Sequence, residues 1–95
     1  MAKRRAATDL RGPVMQIFQE IVDEKRPTWP RRLGPVCVYW RCDKIAERVA
    51  TLLEWKRLNE RRLRRISGTI SGLIRSGQLL VHVEWPHGNR GITLA

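Results

Sequence analysis

The sequence predicts an α+β fold in one domain: three helices, a short strand after the first of them, and a C-terminal two-stranded hairpin. Three observations predict it. Aliphatic residues recur at helical spacing in three separate stretches, whereas the last stretch alternates strictly between apolar and polar residues before a turn-rich hexapeptide. The 95 residues are 42% hydrophobic, enough for one core and too few for a second.

The first helix is expected from about Pro13 to Lys25. Proline suits a first helical turn, where its missing N–H costs nothing. Val14, Ile17, Phe18, Ile21 and Val22 share one face, and Gln16, Gln19, Glu20, Asp23 and Glu24 take the other. That outer face holds three acids and no base before Lys25, so it is expected to point away from any polyanion. Pro27 stops the helix.

Residues 26–35 read as a loop punctuated by Pro27, Pro30, Gly34 and Pro35, with Trp29 as a lid over the core. Val36-Cys37-Val38-Tyr39-Trp40 is rich in β-branched and aromatic residues and reads as a short strand. Asp43 is placed to cap a second helix, whose apolar stripe is Ile45, Ala46, Val49, Leu52 and Leu53. No Gly or Pro between Thr51 and Leu58 marks its end.

Asn59 can cap a third helix running from about Glu60 to Ser76, with Gly77 as its C-terminal breaker. Leu63, Ile66, Ile70, Leu73 and Ile74 fall on one side. The other side holds Arg61, Arg64, Arg65, Gly68, Gly72 and Arg75. In the tail, Leu79, Val81, Val83 and Trp85 point one way, and Leu80, His82 and Glu84 the other. Pro86 to Gly91 is expected to turn, and Ile92-Thr93-Leu94 to return as the second strand.

Charge is the strongest functional signal. Nineteen Lys and Arg oppose nine Asp and Glu, giving +10. Such an excess repels itself in a compact chain and calls for a polyanionic partner. Fifteen of the nineteen are Arg, whose planar fork matches phosphate and guanine edges. Seven bases between Lys56 and Arg75 face a single acid, Glu60. Gly68 and Gly72 sit amid this charge, each costing a helix about 1 kcal/mol relative to Ala, so a close approach to the backbone is expected there, by DNA or by another helix. Lys3, Arg4 and Arg5 lie in a basic flexible arm over residues 1–10 that would touch phosphates or a minor groove.

The segment Ile66-Ser67-Gly68-Thr69-Ile70-Ser71-Gly72-Leu73-Ile74-Arg75-Ser76-Gly77-Gln78-Leu79-Leu80 resembles the end of a recognition helix and first wing strand of the winged helix-turn-helix superfamily. Ile45-Ala46-Glu47-Arg48-Val49 resembles the helix that precedes its turn, and the order helix, strand, helix, helix, hairpin is that of the superfamily. The resemblance implies a winged-helix DNA-binding domain over residues 11–95. It implies base-edge or phosphate contacts from Arg61, Arg64 and Arg65, and phosphate contacts from Thr69, Ser71 and Arg75. His87, Asn89 and Arg90 at the wing tip would reach a neighbouring groove or backbone. One departure is the long, charged connection from Thr51 to Asn59, which leaves open which of Lys56, Arg57, Arg61 and Arg62 meet DNA.

The expected partner is therefore double-stranded DNA, bound by a small transcriptional regulator that a homodimer would suit. Alternatives are an RNA-binding or non-specific architectural protein, or a protein-interaction module using the glycine face. No cofactor, small-molecule ligand or membrane is expected. No run approaches the ~20 apolar residues of a membrane span, so a cytoplasmic location is expected. Cys37, Cys42, His82 and His87 are zinc-ligand types, but the 39 residues between the pairs do not fit a finger, and no metal is expected. No catalytic constellation is present, and no enzyme activity is expected.

Overall fold

The computed structural model describes residues 9–84 and 89–95. Its architecture is α+β. Helices α1 (Arg11–Lys25), α2 (Ile45–Leu52) and α3 (Glu60–Arg75) are followed by strands β1 (Leu79–Glu84) and β2 (Asn89–Leu94). The strands pair antiparallel, from Leu79 opposite Leu94 to Glu84 opposite Asn89.

Helix α1 starts two residues before the expected position. Asp9 accepts the Arg11 N–H at 3.1 Å, and the Leu10 carbonyl accepts the Val14 N–H. Leu10, read from sequence as the end of the arm, is 3% exposed and belongs to the core. Val14, Ile17, Phe18, Ile21 and Val22 are buried as their spacing demands. They pack with Val38, Ile45, Val49, Ile66, Ile70, Leu73 and Leu79 into one cluster. Full burial of a side chain such as Phe18 contributes about 1.5–3 kcal/mol.

Two 3-10 turns, Arg26–Thr28 and Arg31–Leu33, carry the chain away from α1. Trp29 is half-buried, and its indole N–H donates to the Gly34 carbonyl across the loop. The expected strand Val36–Trp40 is reduced to a single bridge, Val38 to Ile92. The reason is Asp43. Its carboxylate accepts the Tyr39 N–H at 2.7 Å while its own N–H donates to the Tyr39 carbonyl, curling the chain into a turn after Val38.

Asp43 therefore does not cap α2, contrary to its reading from sequence. Lys44, at φ 51°, occupies that place with no side-chain cap. The Asp43 carboxylate is also held by the Lys25 ammonium at 2.7 Å, and Lys25 donates to the Cys37 carbonyl at 3.0 Å. The ammonium lies 4.9 Å from the Tyr39 ring centre and 5.8 Å from that of Trp29. One lysine thus fastens the end of α1 to the segment that leads into α2.

Helix α2 buries Ile45, Ala46, Val49 and Ala50; Leu52, expected inside, is exposed. The helix ends without glycine. Glu54 adopts φ 58°, its N–H donates to Thr51, and the Trp55 N–H donates to Ala50. This is a Schellman closure with a glutamate in the left-handed position. Helix α3 ends the same way with Gly77 at φ 85°, Gly77 donating to Ile74 and Gln78 to Leu73.

Strand β2 starts at Asn89, so Asn89, Arg90 and Gly91 are strand residues, not turn residues as expected. Gly91 is there for space. A Cβ on it would lie 2.5 Å from Cys37 Cβ and 3.2 Å from Tyr39 Cε1. Strand β2 lies between the Val38 bridge and β1, so among the described residues β1 has a neighbour on one edge only. Only Leu79 of its apolar residues reaches the core; Leu80, Val81 and Val83 are exposed. The expected split between an inner and an outer face therefore fails beyond Leu79. Trp85, Pro86, His87, Gly88 and the arm residues Lys3, Arg4 and Arg5 lie outside the described residues.

Candidate nucleic-acid interface

Helix α3 is built as its sequence requires. The Asn59 side chain accepts the Arg62 N–H at 2.9 Å, a local cap that fixes the helix start. Ile66, Ile70 and Leu73 are buried against the core, which fixes the rotation of the helix about its axis. Leu63, expected on the inner side, is exposed, and Ile74 is half-buried at the margin.

The outward face then carries Arg61, Arg64, Ser67, Gly68, Ser71, Gly72 and Arg75, all exposed. Arg65 and Thr69 are half-buried at its edge, and the Thr69 hydroxyl donates to the Arg65 carbonyl at 2.8 Å. That hydroxyl keeps its lone pairs for an outside donor, but its proton is already used within the helix. The Arg64 guanidinium reaches the Glu60 carboxylate, with both side chains about three-quarters exposed. Such a surface pair is worth at most about 1 kcal/mol and does not withdraw Arg64 from a stronger anion. Arg62 is turned aside: its guanidinium lies 4.7 Å from the Trp55 ring centre.

No other part of the described protein comes within 4 Å of a Cβ built on Gly68 or Gly72. The glycines are therefore not there to let another element of the described fold approach. They form the floor of an open groove of about 500 Å³, walled by Arg11, Arg65, Thr69, Ser76 and Gln78. Sequence reasoning misses Arg11 because it expects the helix to begin at about Pro13, which leaves Arg11 ahead of the first turn. Starting the helix two residues earlier brings it beside Gly68 and Gly72. Its guanidinium is hydrogen-bonded to Asp9, which raises the Arg11 pKa and lowers that of the Asp9 carboxyl.

No family model, curated protein or solved structure matches the chain.

The hairpin contributes less that is described. Arg90 is exposed on β2 opposite Val83, and Asn89 opens that strand opposite Glu84. His87 lies outside the described residues. His82 is half-buried, with its imidazole facing Gly34, rather than outward as its alternation suggested. Cys37 is a buried thiol hydrogen-bonded to the Pro35 carbonyl, and Cys42 is an exposed thiol.

Four of the nine acids collect elsewhere. Glu20, Glu24, Asp43 and Glu47 line a groove between α1 and α2 that shares no residue with the one over Gly68 and Gly72. There the Arg48 guanidinium makes two 3.0 Å hydrogen bonds to Glu24, holding that carboxyl below its ordinary value. On the α3 side Asp9 lines the groove over Gly68 and Gly72, and Glu60 opens the helix. Among the described residues no helix is long and apolar enough to cross a membrane.

Proposed function

We propose that this chain is a winged-helix domain that binds double-stranded DNA as a small transcriptional regulator, with α3 in the major groove and the β1–β2 hairpin as the wing. One observation carries the reading. The third helix keeps Ile66, Ile70 and Leu73 inside and presents Arg61, Arg64 and Arg75 outside, around two glycines that nothing else in the described fold approaches. A 16-residue helix is about 24 Å long, enough to follow a major groove and meet phosphates on both walls. The bridge from Val38 to Ile92 supports the superfamily order, because it gives the hairpin a third, minimal strand from the segment after α1.

In this reading Arg61, Arg64 and Arg65 meet base edges or phosphates, and Ser71 and Arg75 meet phosphates, while Thr69, whose hydroxyl proton is held by the Arg65 carbonyl, lines the groove. The bare backbone at Gly68 and Gly72 lets the duplex wall come closer than side chains would allow. Arg90, with Asn89 and His87, serves the wing. Lys3, Arg4 and Arg5, outside the described residues, are the proposed arm contacts to phosphates or a minor groove.

A gel-shift titration over a range of salt tests it. With about five phosphates neutralised, log K falls against log[salt] with a slope of roughly −4 to −5. Selection from a random duplex pool should return one sequence class favoured by about 10³-fold or more over bulk DNA. Arg61→Ala with Arg64→Ala should remove most binding without changing the melting temperature. A flat salt dependence, or tighter binding to structured RNA at equal salt, overturns the duplex assignment.

A further inference from the structure

The connection between α2 and α3, residues 53–59, is longer and more charged than a turn between two helices needs, and it is not slack. Its start is locked by the Schellman closure, in which the Trp55 N–H reaches the Ala50 carbonyl at 2.9 Å. Trp55 and Leu58 then both pack against the core. Between these two anchors Lys56 and Arg57 are exposed. A second fastening comes from α3 itself. Arg62 stacks its guanidinium over Trp55 at 4.7 Å and donates to the Arg57 backbone carbonyl at 2.7 Å. Arg62 N–H meanwhile donates to the Asn59 side chain. Arg62 is thus committed to the chain's own backbone and ring.

We infer that Lys56 and Arg57 are phosphate-binding residues that extend the α3 interface beyond its N-terminus, and that Arg62 is a positioning residue which holds them there through Trp55. The inference rests on the duplex-binding reading above and names residues that reading does not contain. The physical gain is preorganisation. Two cations on a loop pinned at both ends lose less conformational freedom on meeting a polyanion than two on a slack linker. The acids within 53–64 are Glu54 and Glu60, and Glu60 is engaged with Arg64. The segment from Lys56 to Arg64 therefore presents a run of cations along one edge of the proposed site, with Arg62 turned inward as its brace.

Three forms of the full chain separate this from a plain structural role, each titrated against duplex DNA at several salt concentrations. Lys56→Ala with Arg57→Ala keeps the Arg57 carbonyl and both anchors, so the fold should melt unchanged while the log–log salt slope becomes shallower by about two. Trp55→Leu alters no charge, so any change in slope must come from cations that have moved. The slope should again become shallower, and combining the two should add nothing to the Lys56/Arg57 variant. Near-ultraviolet circular dichroism checks that the Trp55→Leu variant is folded. An unchanged slope in the Lys56/Arg57 variant overturns the inference on its own, whatever Trp55→Leu does. A steeper slope in Trp55→Leu also overturns it, because Arg62 would then be a contact released from the ring. Absence of salt-dependent binding by the unmodified chain takes down both the inference and the reading beneath it.

Discussion

Gly91 runs against Cys37 so closely that a Cβ at position 91 would sit 2.5 Å from the cysteine Cβ and 3.0 Å from its sulfur. This is where the C-terminal hairpin is pressed onto the segment following the first helix, through the paired hydrogen bonds of Val38 and Ile92 at 2.8 and 2.9 Å. Gly91→Ala forces these strands apart, and overpacking of this kind costs about 1–3 kcal/mol. The melting temperature should fall, and the amide protons of Val38 and Ile92 should lose their protection against exchange. An unshifted melting curve would mean that the contact relaxes at no cost.

Asp43 and Lys25 tie the end of α1 to the segment that leads into α2, at side-chain exposures of 14% and 23%. Asp43→Ala leaves the Tyr39 N–H without its acceptor and the Lys25 ammonium without its counter-ion. The loss is about 2–3 kcal/mol, or about 10–20 °C in a domain of this size. Lys25→Met in the Asp43→Ala background should cost less than Lys25→Met alone. Additive losses would show that the two side chains are not coupled.

Gly68→Ala and Gly72→Ala make opposite predictions for stability and for binding. With open space around both positions, each alanine should stabilise the helix by roughly 0.8–1 kcal/mol. If a duplex wall approaches the backbone there, the doubly substituted chain should melt higher and bind DNA at least about ten-fold more weakly, a loss of about 1.4 kcal/mol. Undiminished affinity in a more stable protein would remove the glycines from the interface.

Glu24 supplies a dependence on acid. Its carboxyl titrates near 4.5 in an unfolded chain and lower in the fold, because Arg48 hydrogen-bonds the ionised form. The stabilisation is fully present above pH 4.5 and is lost as pH drops through the lower folded value. Glu24→Gln should therefore flatten part of the acid limb of the melting temperature and leave its shape above that range unchanged. An identical acid limb in the variant would show that the pair contributes nothing in solution.

Much of this arrangement is legible in the residues. The buried face of α1 follows from helical spacing, and α3 is announced by Asn59 before it and Gly77 after it, each doing the local task its chemistry suits. The exposed arginines of α3 follow from the same spacing. What could not be read depends on contacts distant in the chain or on unusual backbone. The second helix ends at Glu54 in a left-handed conformation that sequence patterns reserve for Gly or Asn, so no stop signal was visible. Asp43 has the residue type of a helix cap but is drawn off by Lys25, eighteen positions away. Gly91 looked like a turn residue because its reason for being glycine is Cys37, far back in the chain. Arg11 and Arg62 could not be placed from the sequence for one shared reason: where a flexible cation lies is decided by its neighbours in space.

That β1 has a neighbour on one edge only among the described residues has one more consequence. A six-residue strand with Leu80, Val81 and Val83 uncovered, and no proline or lysine along it, is the sort of surface on which identical molecules stack into oligomers. Here the surplus of ten positive charges stands in for those missing guards by keeping like molecules at a distance. Electrolyte that shortens the reach of that repulsion should make the protein self-associate through this strand.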